Sequence, residues 1–337
     1  LCLCLLLFLV LNASAEQLLR AQQDSRGYSE VILKDQPTAY WDFSEPKSAK
    51  STSSKASDAF RAKLLGKVAL NHQGPRPKAF PLFDQANSAA DFPGGKDCLQ
   101  VDDPGEESPL DFDAGDSITL EAWVFPRTIG NDQYVSVISK GRTGNAGFEK
   151  ENLNYALRLK GDNQVALVNF LFRSRGPLHN SVDNKKQTTA PKFHRWTSSI
   201  GFPVESGWHH IVVTYSFGTV GSVRAYLDGQ AIAGTWDMEG DTDAAPFVDN
   251  DQVWIGSGQP NHTAAFKGWL DEIAIYRRAL TAEQIASHYR CNSTSTNTWV
   301  AASDLPEDRV RVQLFDGLMD RTWGFTLDKP TLEFDLP

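Results

Sequence analysis

The sequence predicts an all-β protein, a sandwich of two antiparallel sheets, and three observations carry the prediction. Short segments alternate apolar and polar residues with period two, the signature of a strand with one face in a core. Gly, Asp, Asn or Pro bounds each of them. Almost no helix separates them, which excludes a βαβ arrangement. Composition agrees: of 337 residues 41% are hydrophobic, and 25 Gly and 9 Trp against 2 Met suit strands and turns better than helix bundles. The length allows one large β domain of roughly 200–250 residues plus something smaller.

Taken in order, residues 1–11 (LCLCLLLFLVL) form one apolar run followed by Asn12-Ala13-Ser14-Ala15-Glu16. The run is too short to cross a bilayer, and Ala13 and Ala15 supply a small-x-small cleavage pattern. We therefore expect 1–15 to be a secretory signal with a truncated start, and the mature protein to be secreted, periplasmic or on the cell surface. No later stretch is long and apolar enough for a membrane span. Residues 16–35 read as a polar lead-in containing a short helix, and 46–58 (PKSAKSTSSKASD) as a Ser/Lys-rich loop with nothing to bury. Strands are expected at 117–125, 134–140, 154–160, 164–172, 209–217, 222–229, 252–258 and 269–276. In SITLEAWVF, Ile118, Leu120, Ala122 and Val124 share one face, with Thr119, Glu121 and Trp123 on the other. Gly161-Asp162-Asn163 and Asp228-Gly229 are hairpin signals. The one convincing helix follows the last strand, where Thr281 and Gln284 make a capping-box pattern. Residues 292–337 read as a linker and the strand-like start of a further region, with other domains of a longer polypeptide expected.

The motifs also resemble a family. Tyr40-Trp41-Asp42-Phe43-Ser44-Glu45 resembles the first strand of concanavalin A-like, laminin-G-like (LamG) domains of secreted, bacterial-type multidomain proteins. Ser117–Val124 is similar to the central strand with its Glu and Trp. Gly207–Thr214 and Val223–Gly229 resemble the Trp-His hairpin and the turn after it. Ile255-Gly256 and Gly268–Leu280 resemble the closing strand, and Thr281–Tyr289 the terminal helix. The resemblance spans residues 36–291 and implies a jelly-roll sandwich. That fold hosts lectins, adhesion modules and glucanases, so fold alone cannot choose among them. The resemblance further implies a structural role for the Trp-His hairpin, and one structural Ca2+ between the first and last strands, where Asp42 and Asp271 stand at matching ends.

The residues narrow the function. A formal charge of −9, from 42 acidic against 33 basic residues, lacks the electrostatic footprint of a nucleic-acid binder. Glycoside hydrolysis needs two carboxylates facing the scissile bond. Asp271 and Glu272 are adjacent, so strand alternation aims them at opposite faces, and Glu121 has no acidic neighbour two residues away. No G-x-S-x-G or H-E-x-x-H motif occurs. His209 and His210, adjacent on a strand, make a poor chelating pair. Gly94-Gly95-Lys96 lacks a phosphate-loop frame and reads as a turn. The acidic stretch 237–251 is a second candidate for calcium, with solvated acidic turns as the alternative. Cys98 and Cys291 are expected to form a disulfide in an oxidising compartment, or else to be two unpaired buried thiols. Sugar binding needs exposed aromatic faces. Trp41, Trp123, Trp208, Trp254 and Trp269 lie in strand motifs and are expected in the sandwich. Trp196, His194 and Trp236 fall in apparent loops, the first two in a long insertion (174–206). They are the expected ligand-binding residues, unless Trp196 merely pins its own loop. The function expected is a non-catalytic binding or adhesion module for glycan or extracellular protein. A divergent glycoside hydrolase and a structural spacer are the alternatives.

Overall fold

A computed structural model describes residues 27–175, 192–258 and 262–289, together with the backbone of four later strands. In chain order the strands are β1 (Ala39–Trp41), β2 (Ser51–Ser53), β3 (Arg61–Leu65), β4 (Ala69–Gln73), β5 (Ser88–Phe92), β6 (Cys98–Val101), β7 (Ser117–Pro126), β8 (Tyr134–Lys140), β9 (Tyr155–Asp162), β10 (Val165–Ser174), β11 (Lys192–Pro203), β12 (His209–Ser216), β13 (Arg224–Leu227), β14 (Gln230–Ile232), β15 (Gly234–Met238), β16 (Val253–Ile255) and β17 (Gly268–Tyr276). Helix α1 (Tyr28–Lys34) precedes them and α2 (Ala282–His288) follows β17. Beyond α2 come β18 (Thr298–Ala301), β19 (Arg309–Phe315), β20 (Thr322–Asp328) and β21 (Thr331–Leu332).

Two antiparallel sheets form the sandwich. The first runs β14-β13-β12-β7-β17-β5-β4, with β1 paired to β17. The second runs β2-β3-β6-β16-β8-β9-β10-β11 and continues through β18 to β21, with β15 also on β11. Alternation places Ile118, Leu120, Ala122 and Val124 of β7 in the core between the sheets, against Leu157, Leu159, Val168 and Phe170 of the second sheet. Hairpin turns match the sequence signals. Asn163 and Gln164, and likewise Asp228 and Gly229, have positive φ at both central positions, as a right-handed twist requires. The capping box on Thr281 and Gln284 is present.

The outer face of the first sheet is not solvated. Tyr28 and Ile32 of α1, Phe80 and Phe83 of a loop, and Ile285 of α2 cover Tyr40, Trp123, Val212 and Tyr276 in a second apolar layer. Every described Trp expected in the sandwich is at least half-buried, Trp208 and Trp269 being partly exposed.

Two expectations need correction. The segment 46–58 holds strand β2, and Thr52 and Ser54 within it are buried. Within the supposed insertion 174–206, Lys192–Pro203 is a 12-residue strand paired along most of β10. Residues 1–26, and with them the signal and most of the lead-in, lie outside the described residues. No described helix is long and apolar enough to cross a membrane.

Candidate functional site

Period two decides what β8 to β11 present on each side. Inward go Val135, Leu157, Phe170, His194 and Trp196; outward go Ser136, Arg158, Asn169, Arg195 and Thr197. Registered pairing then lines up Ser136, Arg158, Asn169 and Thr197 in one row across four strands. At about 4.8 Å per strand the row is roughly 14 Å long. The Asn169 amide is its hub. Its oxygen accepts from Arg158 Nε at 2.8 Å, and its nitrogen donates to the Trp196 carbonyl at 2.9 Å and to Thr197 Oγ1 at 2.7 Å. Thr197 in turn donates to Asp237, which holds Arg195 Nε at 2.6 Å. The guanidinium groups of Arg158 and Arg195 both lie 4.7 Å from the Tyr134 ring centre, within cation–π range.

Arg158 is 5% exposed, and its second terminal nitrogen has no hydrogen-bond partner. Burial and the neighbouring Arg195 charge pull its pKa down to about 9, so it stays charged at neutral pH. Buried polar groups are ordinarily satisfied, and a buried charge left unpaired is costly. Gly258 passes over Ser136 and roofs its hydroxyl. The row is therefore approached from Tyr134, Arg195 and Asp237, which are partly or fully exposed.

The expected trio of Trp196, His194 and Trp236 does come together, but as core rather than platform. Trp196 is 4% exposed and faces Phe170 across the sheet. His194 is buried, stacked on Phe172 at 4.9 Å, with its nitrogens bonded to the Gly240 carbonyl and Ser174 hydroxyl. Trp236, half-buried on β15, packs edge-on to Phe172 and Tyr215. The physical reason is strand parity: residues 194 and 196 point inward, and the outward residue between them is Arg195. Sequence reading missed Arg158, Asn169 and Arg195, although polar residues interrupting NYALRLK and QVALVNFLF were a signal.

Asp271 and Glu272 do not alternate as expected. β17 bulges between Asp271 and Ala274, and Glu272 takes a φ of 53°, so the two carboxyls interact electrostatically. Both are buried, and burial raises both well above the usual carboxylate range. The Tyr40 hydroxyl donates to Glu272, and the Asn87 amide to Asp271 at 2.8 Å. Asp42 lies near enough to raise Asp271 further. A Cβ on Gly74 would sit 2.5 Å from the Asn87 amide and 2.7 Å from Asp271 Oδ2, so the backbone closes tightly on this carboxylate. Among the described residues no group of three or more His, Cys, Asp or Glu side chains is arranged to hold a metal ion. A cation here would need amide and backbone oxygens as well as Asp42 and Asp271, and calcium accepts such ligands. In the acidic stretch 237–251 only Asp249 and Asp251 meet among the described contacts, on the Asn152 amide. Asp237 pairs with Arg195, Glu239 with Lys192, and Asp251 accepts from Thr143, Asn145 and Asn152.

On the first sheet, Glu121 is fully buried but well matched. It accepts from His210 Nε2 at 2.7 Å, His288 Nδ1 at 2.9 Å and the Tyr276 hydroxyl at 2.9 Å. His288 Nε2 also meets Asp35 at 2.9 Å, joining α1 to α2. His209 faces the other way, bonded to Asp228 and stacked on Phe202. Cys98 is a buried free thiol, pushed up to about 11 by burial. Its expected partner Cys291 lies outside the described residues, and the expected disulfide is not seen.

A laminin G-type family model, described as the concanavalin A-like lectin/glucanases superfamily, matches residues 93–286. Among solved structures, domain 4 of AbnA, a GH43 extracellular arabinanase from Geobacillus stearothermophilus, in complex with arabinotriose, is 16% identical, with 76% of this chain and 98% of that one covered and a TM-score of 0.45. The binding domain of botulinum neurotoxin serotype G is 10% identical, covering 86% and 75%, with a TM-score of 0.46. The Ruminococcus gnavus IT-sialidase CBM40 bound to α2,3 sialyllactose is 14% identical, covering 60% and 96%, with a TM-score of 0.36. No curated protein matches in sequence.

Proposed function

The chain belongs to the concanavalin A-like lectin/glucanases superfamily, and on that footing we propose that it is a non-catalytic binding module of an exported protein, with glycan as its ligand. One observation carries the reading. The outer face of β8 to β11 presents a hydrogen-bonding row in which a buried guanidinium nitrogen of Arg158 and the Ser136 hydroxyl have no partner, beside a partly exposed tyrosine. Strands β8 to β11 are all paired on both sides. An incoming peptide has no free strand edge to join on this face, so side chains must do the recognising, which suits sugar hydroxyls.

A hydrolytic role finds less support. Asp271 and Glu272, the adjacent carboxyls of β17, are sealed beneath Tyr40 and Asn87 rather than open to a polymer. As part of the same proposal, Asp42 and Asp271 supply the carboxylates for one structural Ca2+. Bound there, the ion would neutralise a buried acid and tie the first strand to the last.

The test is calorimetric titration of the purified protein with a panel of neutral and acidic polysaccharides, followed by product analysis. Saturable binding without chain cleavage is expected. Release of reducing ends would overturn the non-catalytic reading, and absence of binding to every glycan would overturn the glycan reading.

A further inference from the structure

Resting on that reading, we propose that the outer face of the second sheet takes an acidic polysaccharide, with Arg158 as the ion-pair partner of a carboxylate or sulfate on the sugar chain.

The argument starts from a comparison of charges on and around this face. Arg142 pairs with Glu151 at 2.8 Å, Lys160 with Asp132 at 3.4 Å, Arg173 with Glu149 at 2.9 Å and Arg195 with Asp237 at 2.6 Å. Arg158, the cation of the row, has no carboxylate within ion-pair distance among the described residues, only the Asn169 amide and the Tyr134 ring. The same sheet shows how a buried cation is otherwise treated: Lys140, fully buried, meets Asp111 at 2.7 Å and Asp103 at 3.2 Å. The exception at Arg158 is explained if its counter-ion arrives with the ligand.

Geometry says which kind of ligand. With Nε spent on Asn169 and Tyr134 against its face, the guanidinium keeps a terminal nitrogen for an acceptor. A planar, delocalised guanidinium of this kind suits carboxylate and sulfate oxygens. The Arg158 and Arg195 guanidiniums share the Tyr134 ring, so an anion bound at this ring meets both. The Arg195–Asp237 pair has side chains 20% and 30% exposed. Solvent therefore reaches both partners of this pair. Arg195 then becomes a second cation for the same anion. Tyr134, Thr197 and Asp237 remain for hydroxyl groups.

The experiment titrates the full-chain protein with polygalacturonate, dextran sulfate, neutral dextran and poly-glutamate at low and high NaCl. Arg158→Met and Arg158→Lys are run in parallel, each checked by thermal unfolding. Expected is binding to one or both acidic polysaccharides, weakened by salt. In Arg158→Met it falls by about tenfold or more, and in Arg158→Lys by less. The Tm of Arg158→Met should hold or rise, since an unpaired buried charge is removed. Preference for polygalacturonate identifies a carboxylate ligand, and preference for dextran sulfate a sulfate. Binding of neutral dextran equally by wild type and Arg158→Met would overturn this inference and leave the glycan-binding reading standing. Binding of poly-glutamate alone would overturn the polysaccharide assignment. Binding of none of the probes, and of nothing in the wider glycan panel, would overturn the underlying reading itself.

Discussion

His288 ties protonation to folding, and its contribution can be worked out. Burial alone would lower its pKa, but the Glu121 charge and the hydrogen bonds from Asp35 and Glu121 outweigh that and raise it from 6.5 to about 9. A folded value above the unfolded one means that the stabilisation is complete below pH 6.5 and is lost as the pH rises through 9. The difference corresponds to about 3 kcal/mol, a sizeable part of the 5–15 kcal/mol typical of a folded protein. At about 2–4 °C per kcal/mol that is a fall of roughly 6–12 °C in Tm. Glu121 acts with the opposite sign. Burial pushes it up, but the His288 charge and the histidine hydrogen bonds hold it well below 4.5, so its share appears above pH 4.5 and is lost on acidification. Greatest stability from this cluster is therefore expected between about pH 4.5 and 6.5. The assay is urea unfolding followed by tryptophan fluorescence from pH 5.5 to 9, comparing wild type with His288→Gln. Cys98, raised to about 11, adds its own loss only as the pH rises through 9 to 11. Wild type should lose stability more steeply across the range, and the variant should start lower and keep only the shallower decline that the raised Asp271 and Glu272 give both proteins. An equal slope in both proteins would refute the assignment to His288.

Three further outcomes follow from the packing. Trp196→Ala should cost about 3–5 kcal/mol in denaturant unfolding, as a buried aromatic does; a loss of glycan affinity with unchanged stability would return Trp196 to the role of sugar platform. Asp271→Asn should raise the Tm measured in EGTA, because a desolvated carboxyl is neutralised, and should abolish any rise produced by calcium; an unchanged calcium response would remove Asp271 from the metal proposal. Gly256→Ala places a Cβ into the Phe92 ring at a φ of 79°, so more than about 1 kcal/mol should be lost, and a neutral result in the same unfolding assay would count against that close approach.

The long central strands were legible because each carries several apolar residues at period two, as in β7 and β12. The first third of the chain was not. In β3 only Ala62 of five residues is buried, and in β2 only Thr52 of three, so no periodic signal exists to read. β11 was hidden differently: its inward positions include His194 and Ser198 and its outward ones Phe193, which blurs polar against apolar. The Glu121 cluster draws its partners from positions 210, 276 and 288, a convergence that only the folded sheet and α2 create. Asp271 and Glu272 obeyed alternation on paper and escaped it through a bulge, which adjacent identities do not announce.

The two sheets treat buried charge in opposite ways, and the contrast locates the site. On the first sheet a buried carboxylate is surrounded by three donors and roofed by two helices, so its charge is matched within the fold. On the second, Lys140 is matched on the inward side of β8, while Arg158 on the outer face has its Nε on a single amide. A chain that fully partners Glu121 and Lys140 has the means to partner Arg158. Ser136, its cross-strand neighbour on β8, is roofed by Gly258, which leaves no room for a longer acidic side chain opposite Arg158. A guanidinium with no carboxylate partner, beside a partly exposed tyrosine and ion pair, is the arrangement a binding face requires and a load-carrying spacer does not.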